Sequence, residues 1–334
     1  MHVTPLIWIV TIAVTIAFFV YEFFAHVRKP HEPTIGESAR WSAFYIALAL
    51  LFGVGIGVVS GWDFGGQYFA GYLTEKVLSV DNLFVFLLLM SAFAVPKAFQ
   101  QKVLMIGIII ALVLRGAFIA VGATLIENYS WVFYLFGALL LVLAWRQAFG
   151  SHDSDPSDNR AMRFLRRRLP ITDGYHGDRL TVKKDGRRFV TPMLLTIVAI
   201  SLIDVVFAVD SIPAIYGLTS EAYLVFTANA FALMGLRQLF FLIGGLLQRL
   251  VYLSQGLAVI LGFIGVKLVF HALHVNELPF VNGGHPVEWI PEIPIWFSLA
   301  FIGATIAVAA VASLRKTRKD ADAEVTAADT SARR

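Results

Sequence analysis

Cysteine is absent from all 334 residues, which removes disulfides, thiolate metal sites and cysteine nucleophiles together. Charge is scarce as well: Asp, Glu, Lys and Arg make up 15% of the chain, against about 25% in soluble domains. A chain that is 58% hydrophobic, with a mean hydropathy of +0.73, belongs in a membrane rather than in the soluble class. The pI near 9.3 does not imply nucleic acid. The basic residues lie in loops flanking apolar spans, where membrane topology accounts for them.

What the chain does have is a series of apolar stretches of about 20 residues, each long enough to cross a bilayer as a helix. Nine are read, roughly at 5–25, 41–60, 68–94, 103–125, 130–148, 192–217, 223–247, 254–274 and 294–314. The expected fold is therefore all-α, a polytopic membrane bundle. The first stretch follows Pro5 with no basic residue before it and no convincing cleavage site after it, so it reads as a retained helix. Lys and Arg collect in alternate loops, from Arg28, Lys29 and Arg40 through Arg249 to Arg315 and Lys316. That asymmetry predicts an N-terminus outside and a C-terminus in the cytoplasm.

The organisation follows from these spans. Residues 1–40 hold the first helix and a cytoplasmic loop, 41–148 four further spans, and 149–191 a basic cytoplasmic linker. Residues 192–314 hold the remaining spans, and 315–334 are expected to form a disordered cytoplasmic tail. With ten basic residues against six aspartates, the linker reads as solvated and able to lie against anionic lipid. Its Asp153–Asp158 run lacks the Gly and terminal Glu of a calcium loop.

Two acidic motifs stand inside the apolar spans. One is Glu75-Lys76-Val77-Leu78-Ser79-Val80-Asp81-Asn82; the other is Asp204-Val205-Val206-Phe207-Ala208-Val209-Asp210-Ser211, followed by Ile212-Pro213. An ionised group near the bilayer midplane costs roughly 2.5–3.5 kcal/mol on insertion scales, so such residues imply function. On a helix, Glu75, Ser79 and Asn82 share a stripe with Asp81 beside it, and Asp204, Ala208 and Ser211 do the same beside Asp210. Oxygen-only ligands select hard cations such as Mn²⁺, Ca²⁺ and Mg²⁺. Pro213 is a candidate helix break that would add backbone carbonyls. The competing architectural reading pairs these acids with Lys76, Arg115, Arg237 and Lys267. A guanidinium cannot accept a metal, so Arg115 and Arg237 are expected as supporting partners.

The spans also repeat. Leu114-Arg115-Gly116-Ala117-Phe118 parallels Leu236-Arg237-Gln238-Leu239-Phe240, and the predicted topology makes the two acidic helices antiparallel. Spans 3–5 and 6–8 thus read as an inverted pair of three-helix repeats, with a site at their interface. Gly53, Gly57 and Gly61 form a small-residue packing face. Glu22 reads as interfacial, as do Trp8, Trp41, Trp62, Trp131 and Trp289. The outer group His271, His274, Glu277, His285, Glu288 and Glu292 offers either a metal exit mouth or ordinary loop and helix-end roles.

At these residues the chain resembles the TerC family of bacterial membrane proteins, which includes the Alx branch. The resemblance rests on Glu75–Phe84, the Asp204–Ala214 run, Leu114-Arg115, Gly265-Val266-Lys267-Leu268 and Val275–Phe297, and covers roughly residues 40–315. It implies a multi-pass bacterial plasma-membrane protein associated with manganese efflux, and in some members with metal supply to secreted enzymes. On the family pattern Glu75, Asp81, Asn82, Asp204, Asp210 and Ser211 are the pathway ligands; the residues themselves put Ser79, Lys76, Arg115, Arg237 and Lys267 in support. Mn²⁺ is then a transported substrate rather than a resident cofactor. The implied partners are the lipid bilayer, a divalent metal ion, protons moving in antiport and secreted metalloenzymes, with no nucleic acid. Tellurium resistance reads as an indirect phenotype, since clustered acids repel an oxyanion.

Two further readings stay beside Mn²⁺ export: a Ca²⁺ transporter, and a scaffold that docks secreted metalloenzymes through 275–293. An intramembrane aspartyl protease fits poorly, because Val80 and Val209 rather than Gly precede the aspartates. No enzyme is expected.

Overall fold

The computed structural model describes residues 1, 3–24, 34–149, 171–172, 174–184, 187–243, 251–279, 281–287 and 289–332. The Asp153–Asp158 run, the linker arginines 160–168, Arg28, Lys29, Arg249 and Glu288 lie outside the described residues. Ten α-helices form the described chain: α1 Pro5–Glu22, α2 Ile35–Ser60, α3 Trp62–Ala92, α4 Lys97–Asn128, α5 Val132–Phe149, α6 Pro192–Tyr216, α7 Ala222–Leu233, α8 Leu236–Ile243, α9 Leu253–His274 and α10 Ile295–Ala332. The protein is an all-α polytopic membrane bundle, as the spans predict. Eight candidate crossings are long and apolar enough by length and composition, α7 and α8 counting as one. The remaining predicted span is α3, whose 31 residues are amply long but include Glu75, Lys76 and Asp81.

Local chemistry sets the helix starts. Thr4 caps α1 by accepting from the Ile7 amide, with Pro5 in the first turn where its missing N–H costs nothing. Thr34 accepts from the Glu37 amide to start α2. Gly61, at φ +105°, turns the chain directly from α2 into α3. The two helices then meet so closely that a Cβ on Gly65 would stand 2.9 Å from the Gly57 Cα. The packing face read from Gly53 and Gly57 is therefore where α2 and α3 touch.

The interior joins the two halves of the chain. α3 packs on α7, α4 on α6, and α5 on α9. Between α5 and α9 a Cβ on Gly137 would stand 3.1 Å from the Gly265 carbonyl oxygen, so these two helices approach closely there. Apolar side chains of α1, α2 and α10 point outward, as in a lipid-facing surface. Trp62, Trp131 and Trp289 are exposed, but Trp8 packs edge-on against Tyr223 and Trp41 stacks on Tyr45.

The structure modifies three sequence expectations. The linker, read as solvated, also holds a hairpin, in which Thr181–Lys184 pairs antiparallel with Arg187–Val190. The segment leading into this hairpin is tied to the bundle by Tyr175 donating to the Phe93 carbonyl and by Lys102 donating to Asp178. The tail is not irregular, since α10 runs on to Ala332, where Ala, Glu, Lys and Arg favour helix. α6 continues through Pro213 to Tyr216. Pro213 lies within the last turn, where its missing N–H removes a single helical bond. The interruption falls instead between α7 and α8, where Gly235 adopts φ +77°.

Candidate functional site

The two acidic motifs meet on one arginine. Arg115 on α4 donates through Nε to Asp204 Oδ2 at 3.0 Å and through Nη2 to Asp204 Oδ1 at 3.0 Å, a bidentate pair. Its Nη1 donates to Glu75 Oε1 on α3 and, at 3.3 Å, to Ser211 Oγ on α6. Glu75, Arg115, Asp204 and Ser211 are all buried. Three helices therefore each place part of one ionic cluster in the centre of the bundle. The stripe geometry accounts for this: Glu75 and Ser79 share a face of α3, and Asp204 and Ser211 share a face of α6.

The cluster carries two carboxylates to one guanidinium. Arg115 keeps its charge, so it balances one carboxylate, and the second needs a proton or another cation to be neutral. Glu75 Oε2, Ser79 Oγ and Thr74 Oγ1 are buried with no hydrogen-bond partner among the described residues. Oxygen atoms free to ligate thus stand beside the excess negative charge.

The other predicted site residues fall as follows. Asn82 is buried on α3. Asp81 and Asp210 enter as helix positions, on α3 and α6 six residues beyond Glu75 and Asp204. Among the described residues no three His, Asp or Glu side chains converge as a metal-holding group.

Of the four cations read as partners of the acidic motifs, Arg115 is the one that bonds to Glu75 and Asp204 among the described residues. Lys76 Nζ donates to the Ala232 carbonyl at 3.1 Å, near the end of α7 where the helix break frees carbonyls from their usual partners. Arg237 pairs with Glu22 of α1 at 3.0 Å and with Gln101 Oε1 at 2.7 Å. Lys267 Nζ donates to Ser298 Oγ at 3.2 Å. Glu22 is correspondingly buried rather than interfacial, since Arg237 and the Gln238 amide offset its desolvation.

Lys267 also lines a cavity of about 430 Å³ with Asp63, Gln67, His271, His274 and Glu292. This cavity opens at one end of the bundle, between the start of α3 and the ends of α6 and α9. Glu277, expected in the same polar group, instead accepts from Ser130 Oγ at 2.8 Å. The 275–293 segment is held by Asn276, whose amide donates to the Val281 and His285 carbonyls and accepts from Tyr134 Oη.

Asn229 on α7 was not singled out from the sequence. It is 1% exposed, and neither amide atom has a hydrogen-bond partner among the described residues. An amide in the middle of an apolar span was the available signal.

A bundle of apolar helices enclosing a carboxylate–guanidinium cluster defines a multi-pass integral membrane protein of transporter-like type. The chain belongs to the TerC family: the family profile described as "Integral membrane protein TerC family" matches residues 60–321. An uncharacterized membrane protein of Mycobacterium tuberculosis (strain ATCC 25618 / H37Rv) is 49% identical over 307 residues, 90% of this chain and 77% of that protein. One from Myxococcus xanthus is 34% identical, covering 96% of this chain and 97% of its own. The Alx protein of Escherichia coli (strain K12), whose name describes a membrane-bound redox modulator, is 38% identical over 80% of this chain and 86% of its own. No solved structure matches the chain.

Proposed function

We propose that this protein exports a hard divalent cation, foremost Mn²⁺, across the bacterial plasma membrane in exchange for protons. The observation that carries the reading is the convergence of Glu75 and Asp204, from two separate acidic motifs, on one buried Arg115. A fixed guanidinium leaves one carboxylate to be matched by a mobile positive charge, and a metal ion and a proton are alternatives for that role. Asp81, Asn82, Asp210 and Ser211 complete the acidic faces, and oxygen-only ligation favours Mn²⁺ or Ca²⁺ over softer metals. The packing of α3 on α7 and of α4 on α6 supports an inverted repeat of α3–α5 against α6–α9, with the cluster at its interface. The basic loops favour an outside N-terminus and a cytoplasmic C-terminus.

With no cysteine, thiol chemistry is not available to this chain for the redox role named for Alx. The scaffold reading keeps one specific support, the hydrogen-bonded 275–293 segment with its exposed Trp289.

The test is Mn²⁺ flux in proteoliposomes under an imposed pH gradient, with Ca²⁺, Mg²⁺ and Zn²⁺ as competitors. Wild-type flux should follow the gradient, and Glu75→Gln and Asp204→Asn should each reduce it by roughly 100-fold, the scale of losing a buried charged contact worth about 3 kcal/mol. Flux indifferent to both substitutions would sink the proposal. An inserted, folded wild type with no flux would leave docking of secreted metalloenzymes as the better reading.

A further inference from the structure

Buried amides are almost always hydrogen-bonded, and each exception needs a cause. Asn229 is such an exception twice over, since Oδ1 and Nδ2 are both buried and unpartnered among the described residues.

Contacts on either side fix its level in the bundle. A Cβ on Gly71 of α3 would stand 3.4 Å from Ala228 Cβ, and one on Gly116 of α4 would stand 3.9 Å from the Phe226 ring. Lys76 of α3 reaches the Ala232 carbonyl. Val225, one turn before Asn229, packs in a cluster with Ile119 of α4 and with Ala208 and Ile212 of α6. One turn from Ile119 along α4 is Arg115, and one turn from Ala208 along α6 is Asp204. Asn229 thus lies at the depth of the ionic cluster, on a helix that contributes nothing else to it.

We infer that Asn229 is a substrate-contacting residue, its Oδ1 a ligand from a further helix for the passing divalent cation. The inference rests on the cation-pathway reading above and deepens it. An amide suits a partly hydrated ion: Oδ1 can bind the metal, and Nδ2 can donate to a water or carboxylate in the metal's own shell. It would join the unpartnered Glu75 Oε2 and Ser79 Oγ of α3, giving an all-oxygen set. It adds a ligand without adding charge.

A structural asparagine and a ligand asparagine behave oppositely on replacement. Removing an amide that serves the fold destabilises it, whereas removing a buried unsatisfied amide leaves stability unchanged or improved. The experiment measures melting temperature with and without Mn²⁺, and Mn²⁺ flux, for wild type, Asn229→Ala and Asn229→Leu. Asn229→Leu, which keeps the side-chain shape, should melt no lower than wild type without metal, while Asn229→Ala carries only the cost of the cavity it opens. Both variants should lose most of the Mn²⁺-induced rise in melting temperature and carry Mn²⁺ roughly tenfold or more slowly, as for one lost ligand.

If both variants melt well below wild type without metal, Asn229 serves the fold and the inference is overturned. Full Mn²⁺ response and flux in either variant overturns it too, while the pathway reading stands. A wild type with neither metal-induced stabilisation nor flux overturns the pathway reading and this inference with it.

Discussion

Arg115 and Arg237 occupy matching places in two similar stretches, Leu-Arg-Gly-Ala-Phe and Leu-Arg-Gln-Leu-Phe, yet they do different work. Arg115 sits in the unbroken α4 and ties α3 to α6 through two acids. Arg237 follows the break at Gly235, in the first turn of α8, and reaches out to Glu22 of α1. A continuous helix keeps its arginine in the centre of the bundle. A broken one lets its second segment take a new direction, and there a different acid meets the guanidinium. The first arrangement has more acid than base; the second matches one acid with one base, and each leaves some buried polar atoms unpartnered among the described residues, Glu75 Oε2 in the first and Arg237 Nε and Gln238 Oε1 in the second. On the proposed function, the excess acid at Arg115 is what a mobile cation would match, while the charge balance at Arg237 leaves that pair an architectural role.

The comparison breaks most sharply at the arginines themselves. Arg115→Met strands two buried carboxylates, so it should cost about 3–5 kcal/mol and abolish metal flux. Arg237→Met should cost less, about 1.5–3 kcal/mol, because Glu22 keeps its bond from Gln238 at 2.6 Å, and flux per folded molecule should persist. Paired thermal melts and flux assays check both. Equal flux loss in the two variants would erase the distinction drawn here.

The break can be tested next. Gly235→Ala forces a side chain into a left-handed backbone, at about 1–2 kcal/mol, and its Cβ would stand 2.6 Å from Tyr45 Cδ2. A clear fall in melting temperature is expected. Unchanged stability would mean that α7 and α8 do not need this turn.

The smallest effect belongs to the segment before the hairpin. Lys102 donates to Asp178 at 2.6 Å and holds its carboxyl below the ordinary aspartate range. A depressed native value means that the pairing stabilises the fold above the unfolded value of about 3.8 and is lost as pH falls through the native one. Asp178→Asn should cost roughly 0.2–1 kcal/mol at neutral pH, with the gap to wild type closing in acid. Melts at several pH values would read it; a gap that widens in acid contradicts the assignment.

Much of the site was legible in the chain. Glu75 and Asp204 stand out because charge inside an apolar span is costly, and their helical stripes follow from spacing alone. Arg115 is visible as a landmark, but the sequence offers it as one of four partners of the acids. Choosing among Lys76, Arg115, Arg237 and Lys267 requires knowing which helices face each other, and spacing along one helix does not carry that. Asn229 was passed over because an uncharged amide disturbs hydropathy little; its isolation from other polar groups is a property of packing. Glu22 was misplaced for a related reason. A carboxylate at a span end usually reaches water, and here the redirected α8 brings Arg237 and Gln238 to it instead.

By itself, then, the sequence determined the membrane class, the helical spans and the two acidic stripes, because hydropathy and the 3.6-residue period act locally along the chain. Only the tertiary structure decided that one arginine joins both stripes, that the helix breaks at Gly235 rather than Pro213, and that Asn229 is left unsatisfied. Each of these depends on which surfaces meet across the bundle, and such contacts join residues far apart in sequence.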